Sequence, residues 1–293
     1  MKKSLICLLL LGMVGSAYTC DEHGVTGIVE DNGLYLAPDA KGINSMDEDT
    51  FNAVIDQVEN TYKPIIKEMG GKLQVIRKWS DGTVNAYAQR SGRTWKVSMF
   101  GGLARHKAIT PDGFAMVVCH EIGHHIGGAP KKVRGWSSWA SNEGQSDYWA
   151  STKCMKRSFM NDDNVAIVAK MDVPEVVKEA CTKAFGSDEN ENALCIRSAM
   201  AGQSLANLFK DLRNLDKAPG FDTPDPATVS RTNDNHPQPQ CRMDTYYMGA
   251  LCDKTLNETV SQSDAEKGLC NRIDNYPARE GTRPLCWYKP KRM

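Results

Sequence analysis

Residues 117–130 read VVCHEIGHHIGGAP, and the spacing inside this stretch decides how the rest of the chain is understood. Asp112 is expected to cap a helix from Gly113 to about Ile126, with Gly127-Gly128 ending it. On that helix His120 and His124, four residues apart, face the same side, so both imidazoles reach one cation. That geometry suits zinc. Glu121 is offset from the pair and can approach a metal-bound water from the side without ligating. His125 lies about a hundred degrees around the helix from His124, off the ligand face, and is expected to be structural or solvent-facing.

A catalytic zinc takes three protein ligands and keeps one position open, so the third ligand decides the class. In the metzincin pattern it is a histidine six residues after the second one, and that position here is Pro130, which cannot bind. The gluzincin pattern takes a glutamate from a following helix. A helix is expected from Asn142 to Arg157, and it carries Glu143 with Asp147 one turn further on the same face. Asp147 can accept a hydrogen bond from a ligand imidazole, His120 in the first instance, fixing its tautomer and raising its basicity.

These residues carry a family resemblance. Eighteen residues separate His124 from Glu143, as in aminopeptidase-N-like gluzincins, and Asn142 to Asp147 reads Asn-Glu-x-x-Ser-Asp, which resembles thermolysin. The Asn85-Ala86-Tyr87-Ala88 strand, the Gly102-Leu103 pair before the zinc helix, and the late His236-Pro237 with Arg242 six residues after the histidine resemble the HtpX-like and CAAX-protease-like gluzincins. The resemblance implies an α+β fold: a zincin-like metallopeptidase domain, mostly helical, with a small antiparallel sheet before the zinc helix. It implies one zinc per chain on His120, His124 and Glu143, with Glu121 as general base. His236 would stabilise the oxyanion, and Arg242 would support the substrate or the same loop. An edge strand at Val84 to Ala88, with Asn85 and Ala86, or at Thr94 to Met99, would pair with an extended peptide or protein substrate. The Gly-x-Met-Glu-Asn segment of zinc aminopeptidases is missing, which points to an endopeptidase.

Around this centre the chain reads as follows. Ser45-Met46-Asp47-Glu48 forms a capping box, behind which Phe51, Val54, Ile55, Val58, Tyr62, Ile65, Ile66 and Met69 recur at helical spacing, with a kink expected at Pro64. Three strand-like runs follow, 73–79, 84–89 and 94–99, separated by turn signals and expected to form an antiparallel meander. Residues 161–185 and 189–212 have helical patterning, and 214–240, rich in Pro, Asp and Asn, is expected to be a long ordered loop. Trp136, Trp139, Tyr148 and Trp149 could wall a subsite, but core packing is the commoner fate of such residues.

The first nineteen residues have the build of a secretory signal peptide: Lys2 and Lys3, an apolar run from Leu5 to Val14, then small residues before cleavage after Ala17 or Thr19. The remainder, 20–293, is expected to be a single metallopeptidase domain, exported to the periplasm or the extracellular space, with no transmembrane segment. Tyr18 and Thr19 are poor residues for a lipid-attachment box at Cys20. Without Lys2 and Lys3 there are 34 basic residues against 36 acidic ones, which lacks the electrostatic footprint of a nucleic-acid binder. Nine of the ten cysteines follow the signal peptide, and outside the cytosol such a set usually forms disulfides. Cys119, in an apolar helical run, is the expected free thiol. The disulfide partners and the oligomeric state are not encoded in any pattern found. Two other readings fit the same motif: a non-catalytic exported zinc-binding protein, chaperone-like or adhesive, and a zinc amidase acting on cell wall.

Overall fold

The computed structural model describes residues 26–39, 46–132, 139–272 and 280–291. Helix α1 (Glu48–Glu68) buries Phe51, Ile55, Val58, Tyr62 and Ile66, spaced three or four apart along one face. Its cap is Asp47, whose carboxylate accepts from the Thr50 N–H at 2.8 Å; Ser45 lies outside the described residues. The helix runs through Pro64 and ends at Gly70, where φ is +81°.

Four strands form one sheet: β1 (Thr26–Gly27), β2 (Lys72–Lys78), β3 (Ala86–Ser91) and β4 (Thr94–Phe100), in the order β1-β3-β4-β2. The expected antiparallel meander is corrected here, because β2 pairs with β4 in parallel, Lys72 opposite Thr94 through Lys78 opposite Phe100, while β3 and β4 form a hairpin. Residues 79–85 are the reason. This connection is too long for a tight hairpin turn and instead carries the chain over the end of β4 to its far side. The crossing also explains Gly101-Gly102: a Cβ at Gly101 would lie 1.8 Å from the Trp79 carbonyl oxygen, and one at Gly102 would lie 2.0 Å from that of Gly82. Arg105, at the end of α2 (Gly101–Arg105), clamps the crossing by donating to the carbonyls of Trp79 and Leu36.

Helix α3 (Pro111–Ile126) is buried from Gly113 to Ile126, as expected of a helix with neighbours on all sides. Thr110, with Pro111 following it at the first helical position, caps α3, and its hydroxyl accepts from the Gly113 N–H. Asp112 is not the cap. Its carboxylate takes two hydrogen bonds from Arg197 instead. After α3 come α4 (Glu143–Trp149), a π-helical turn at Ala150–Cys154 and α5 (Met155–Phe159), which together form one continuous rod. The helical stretch expected over 161–185 is split into α6 (Asn164–Val168) and α7 (Glu175–Phe185), because Pro174 initiates a new helix. Helix α8 (Glu189–Arg213) and, beyond the long irregular loop, α9 (Pro239–Leu251) complete the α+β architecture.

The main core packs α1, the sheet, α3 and α8 together, with Phe51, Phe114, Val97, Met99 and Leu205 at its centre. Tyr148 and Trp149 serve as packing residues, the latter edge-on to Tyr62; Trp136 lies outside the described residues.

Cys119 is not free. It is bonded to Cys154, joining α3 to the π-turn, and three further disulfides link Cys181–Cys195, Cys241–Cys286 and Cys252–Cys270. A buried apolar cysteine and a half-cystine look alike in sequence, and only the approach of α3 to the π-turn separates them. The four bonds fit a protein exported to an oxidising compartment. No helix among the described residues is long and apolar enough to cross a membrane.

Candidate metal centre

The two histidines of α3 and the first residue of α4 converge. The rings of His120 and His124 meet edge to face with centroids 4.7 Å apart, and Glu143 Oε2 lies 3.4 Å from His120 Nε2 and 3.5 Å from His124 Nε2. The side chains of all three are fully buried. Local sequence places Glu143: the Asn142 side chain caps α4 by accepting from the Gln145 N–H, and Gln145 Nε2 donates to the Gly127 carbonyl at the end of α3. Gly123 lets the two helices close, since a Cβ there would lie 3.2 Å from Ser146 Cα.

Each imidazole is fixed through Nδ1. His120 Nδ1 is 2.7 Å from Asp147 Oδ1, and His124 Nδ1 donates to the Ser141 carbonyl at 2.9 Å with Ser146 Oγ at 3.0 Å. Both Nε2 atoms therefore point into the gap. Among the described residues, neither they, nor Glu143 Oε2, nor either oxygen of Glu121 finds a hydrogen-bond partner. Buried polar atoms without partners are costly unless something else satisfies them. Two ligand atoms each about 2.1 Å from a tetrahedral zinc lie roughly 3.4 Å apart, so this donor set fits that ion. The two other clusters of possible ligands among the described residues, around Cys241–Cys286 and Cys252–Cys270, have their sulfurs committed to disulfides.

Burial lowers His124 to about 3, so its ring is neutral and keeps the Nε2 lone pair. Burial also acts against charge on His120, but Asp147 beside it prevails and raises it to about 9. Burial pushes the Glu121 carboxyl up to about 8, against the opposing pull of His120. Glu143 is driven up by burial and down by His236, His124 and His120, with a net position well below its ordinary value.

Asp147 is the hub of the support. Arg242 grips it with two hydrogen bonds of 2.8 Å, and Tyr246 Oη donates to Oδ1 at 2.5 Å. Arg242 thus reaches the centre through Asp147, and its remaining nitrogen, Nη1, donates to the Ile28 carbonyl. His236 is brought in by the loop before α9, with Nε2 3.2 Å from Glu143 Oε2 and 2.8 Å from the Gly27 carbonyl oxygen.

The expected substrate edge is different. Asn85 and Ala86 do lie beside the centre, but Ala86 O accepts from Ile28 N and Asn85 binds both main-chain groups of Val29. β4 is interior to the sheet, so Thr94 to Met99 offers no edge. His125 is structural. It stacks between Trp95 and Trp139, Nε2 donates to the Lys96 carbonyl, and Nδ1 accepts from Arg90.

Four contributors were missed in the sequence: Ser141, Ser146, Tyr246, and Lys132, whose Nζ is 3.1 Å from Glu143 Oε1. Tyr246 was findable, lying one turn past Arg242 on α9. The other three lie near Glu143 in sequence, but serine and lysine carry no pattern of their own.

No family model, curated protein or solved structure matches this chain.

Proposed function

We propose that the chain is an exported zinc-dependent endopeptidase of gluzincin type, allied to the HtpX-like and CAAX-protease-like peptidases. One observation carries this reading. Three buried donor atoms on His120, His124 and Glu143 converge without hydrogen-bond partners, and an unpaired carboxylate, Glu121, stands next to them. Zinc held there would polarise a carbonyl and lower the pKa of a bound water toward neutrality. Glu121 takes the proton of the attacking water and passes it to the leaving amine. Asp147 orients His120, and the Ser141 carbonyl orients His124. His236 offers Nε2–H to the substrate carbonyl oxygen as negative charge develops on it.

The test is metal analysis together with peptide-library cleavage, with and without a chelator. Glu121→Gln should keep its zinc and lose roughly 10²- to 10⁴-fold in rate, the usual contribution of a general base. Full activity in that variant would refute the mechanism. Zinc loading without cleavage in the wild-type chain would favour the non-catalytic reading, and turnover of peptidoglycan fragments alone would favour the amidase.

A further inference from the structure

The groups that would meet a substrate backbone are already engaged by this chain's own backbone. His236 Nε2 donates to the Gly27 carbonyl at 2.8 Å, and Arg242 Nη1 donates to the Ile28 carbonyl at 2.5 Å. Asn85 closes a two-way contact with Val29, donating to its carbonyl at 3.1 Å and accepting from its N–H at 3.3 Å. Ala86 O accepts from Ile28 N at 3.1 Å, and β1 runs antiparallel to β3 with Thr26 opposite Ala88 and Gly27 opposite Tyr87. Three consecutive residues are thus held by main-chain hydrogen bonds, the way a site holds an extended peptide of variable sequence.

We propose that Thr26–Asp31 is an intramolecular strap lying in the peptide groove of the site, with the Gly27 carbonyl in the position of a scissile carbonyl. The inference rests on the peptidase reading of the metal centre. The strap also specifies what replaces it: an extended peptide antiparallel to β3, small before the reacting carbonyl and branched aliphatic after it. A Cβ at Gly27 would lie 2.9 Å from Asn85 Oδ1 and 3.0 Å from the Tyr87 ring, while the Ile28 side chain is completely buried. The outer end is held more weakly. Glu30 pairs with Arg213 across two exposed side chains, and exposed Asp31 accepts from Tyr87 Oη. A cavity of about 200 Å³ lined by Val29–Asn32, Phe209, Leu212 and His236 lies beside the outer half of the strap, whereas Ile28 and Val29 belong to the main core.

The test compares the zinc-loaded mature chain with a form starting at Asn32, both carrying Glu121→Gln so that the probe is not cut. The probe is a fluorescent synthetic peptide of residues 24–32, GVTGIVEDN. A tethered occupant acts at roughly millimolar effective concentration, so the shortened form should bind the probe at least about tenfold more tightly than the intact one. Equal affinities overturn the strap. The two forms with Glu121 restored are then compared for cleavage, where the shortened form should be the faster.

Binding confined to the shortened form without cleavage by either keeps the strap and sinks the peptidase reading. Equal cleavage by both overturns the strap and leaves the peptidase reading standing. If circular dichroism shows the shortened form unfolded, the intact chain with Glu30→Arg and Asp31→Arg takes its place. These substitutions fall on exposed side chains and reverse the strap's outer contacts. They should raise probe affinity, and an unchanged affinity overturns the proposal.

Discussion

Asp147 shows how much one side chain can organise. Its Oδ1 receives His120, Arg242 and Tyr246 at once, and its Oδ2 receives a second bond from Arg242. Burial alone would push this carboxyl up, but Arg242 and His120 hold it well below the ordinary aspartate range. An asparagine at this position removes the charge and leaves the buried Arg242 without its counter-ion. Asp147→Asn is therefore expected to weaken zinc binding about 10- to 100-fold, read by chelator competition. It should also cost about 3–5 kcal/mol of stability, read by urea unfolding. Unchanged zinc affinity would remove Asp147 from the support of His120. The sequence reveals Asp147 because it lies one helical turn from Glu143, and the histidine pair for the same reason. It does not reveal the contacts of Arg242 and Tyr246, which reach Asp147 across 95 and 99 residues, or that of His236 with Gly27, across 209. Helical periodicity extends over a few turns and says nothing about which distant carbonyl an arginine will find.

At the scale of elements the same division holds. The α1, α3 and α8 helices follow from their apolar periodicity, whereas the parallel β2–β4 pair does not, because strand composition leaves strand order open. The loop carrying His236 has no secondary structure of its own; it is held by the C-terminal segment and by Asn142, whose Nδ2 donates to the Asn233 carbonyl. Val229 N donates to the Leu285 carbonyl, Asn233 N donates to the Trp287 carbonyl, and Cys286 is bonded to Cys241 in the first turn of α9. Trp287 in turn seats on α4, where a Cβ on Gly144 would lie 2.3 Å from its ring. The Cys241–Cys286 bond thus joins the helix that carries Glu143, the His236 loop and α9. Replacing both cysteines with serine should lower stability by about 2–4 kcal/mol. Because the bond touches none of the three proposed ligands, zinc content should persist while the proposed peptide turnover falls. Loss of zinc in step with turnover would show that the bond supports the metal and not the loop.

At the scale of the whole molecule, lysines desolvated by burial add a pH dependence of their own. Burial lowers Lys156 to about 7, Lys131 to about 7 and Lys153 to about 8. The ammonium of Lys156 donates to the Cys252 carbonyl at 2.9 Å and lies 4.3 Å from the centre of the Phe185 ring, with no carboxylate among the described residues in hydrogen-bond contact. Between about pH 7 and the ordinary lysine value of 10.5, the unfolded chain holds more protons on these groups than the folded one, so their contribution to stability rises with pH. Below pH 7 both states are protonated and the burial penalty is felt in full. Buried Tyr62 and Tyr148 are raised above their ordinary value of 10.0, which reverses the trend above about that pH. The lysines' share of the stability should therefore climb from pH 6 to pH 9, while His120 and Glu121, both raised in the folded chain, pull the other way. Lys156→Met keeps the stem and removes the charge, at the expense of the hydrogen bond to Cys252. It should be more stable than the wild type at pH 6 by on the order of 1 kcal/mol. That advantage should shrink by pH 9, where the wild-type lysine folds as the neutral amine. A gain that stays constant across this range would locate the effect in packing, and a gain that grows from pH 6 to pH 9 would contradict the sign derived for Lys156.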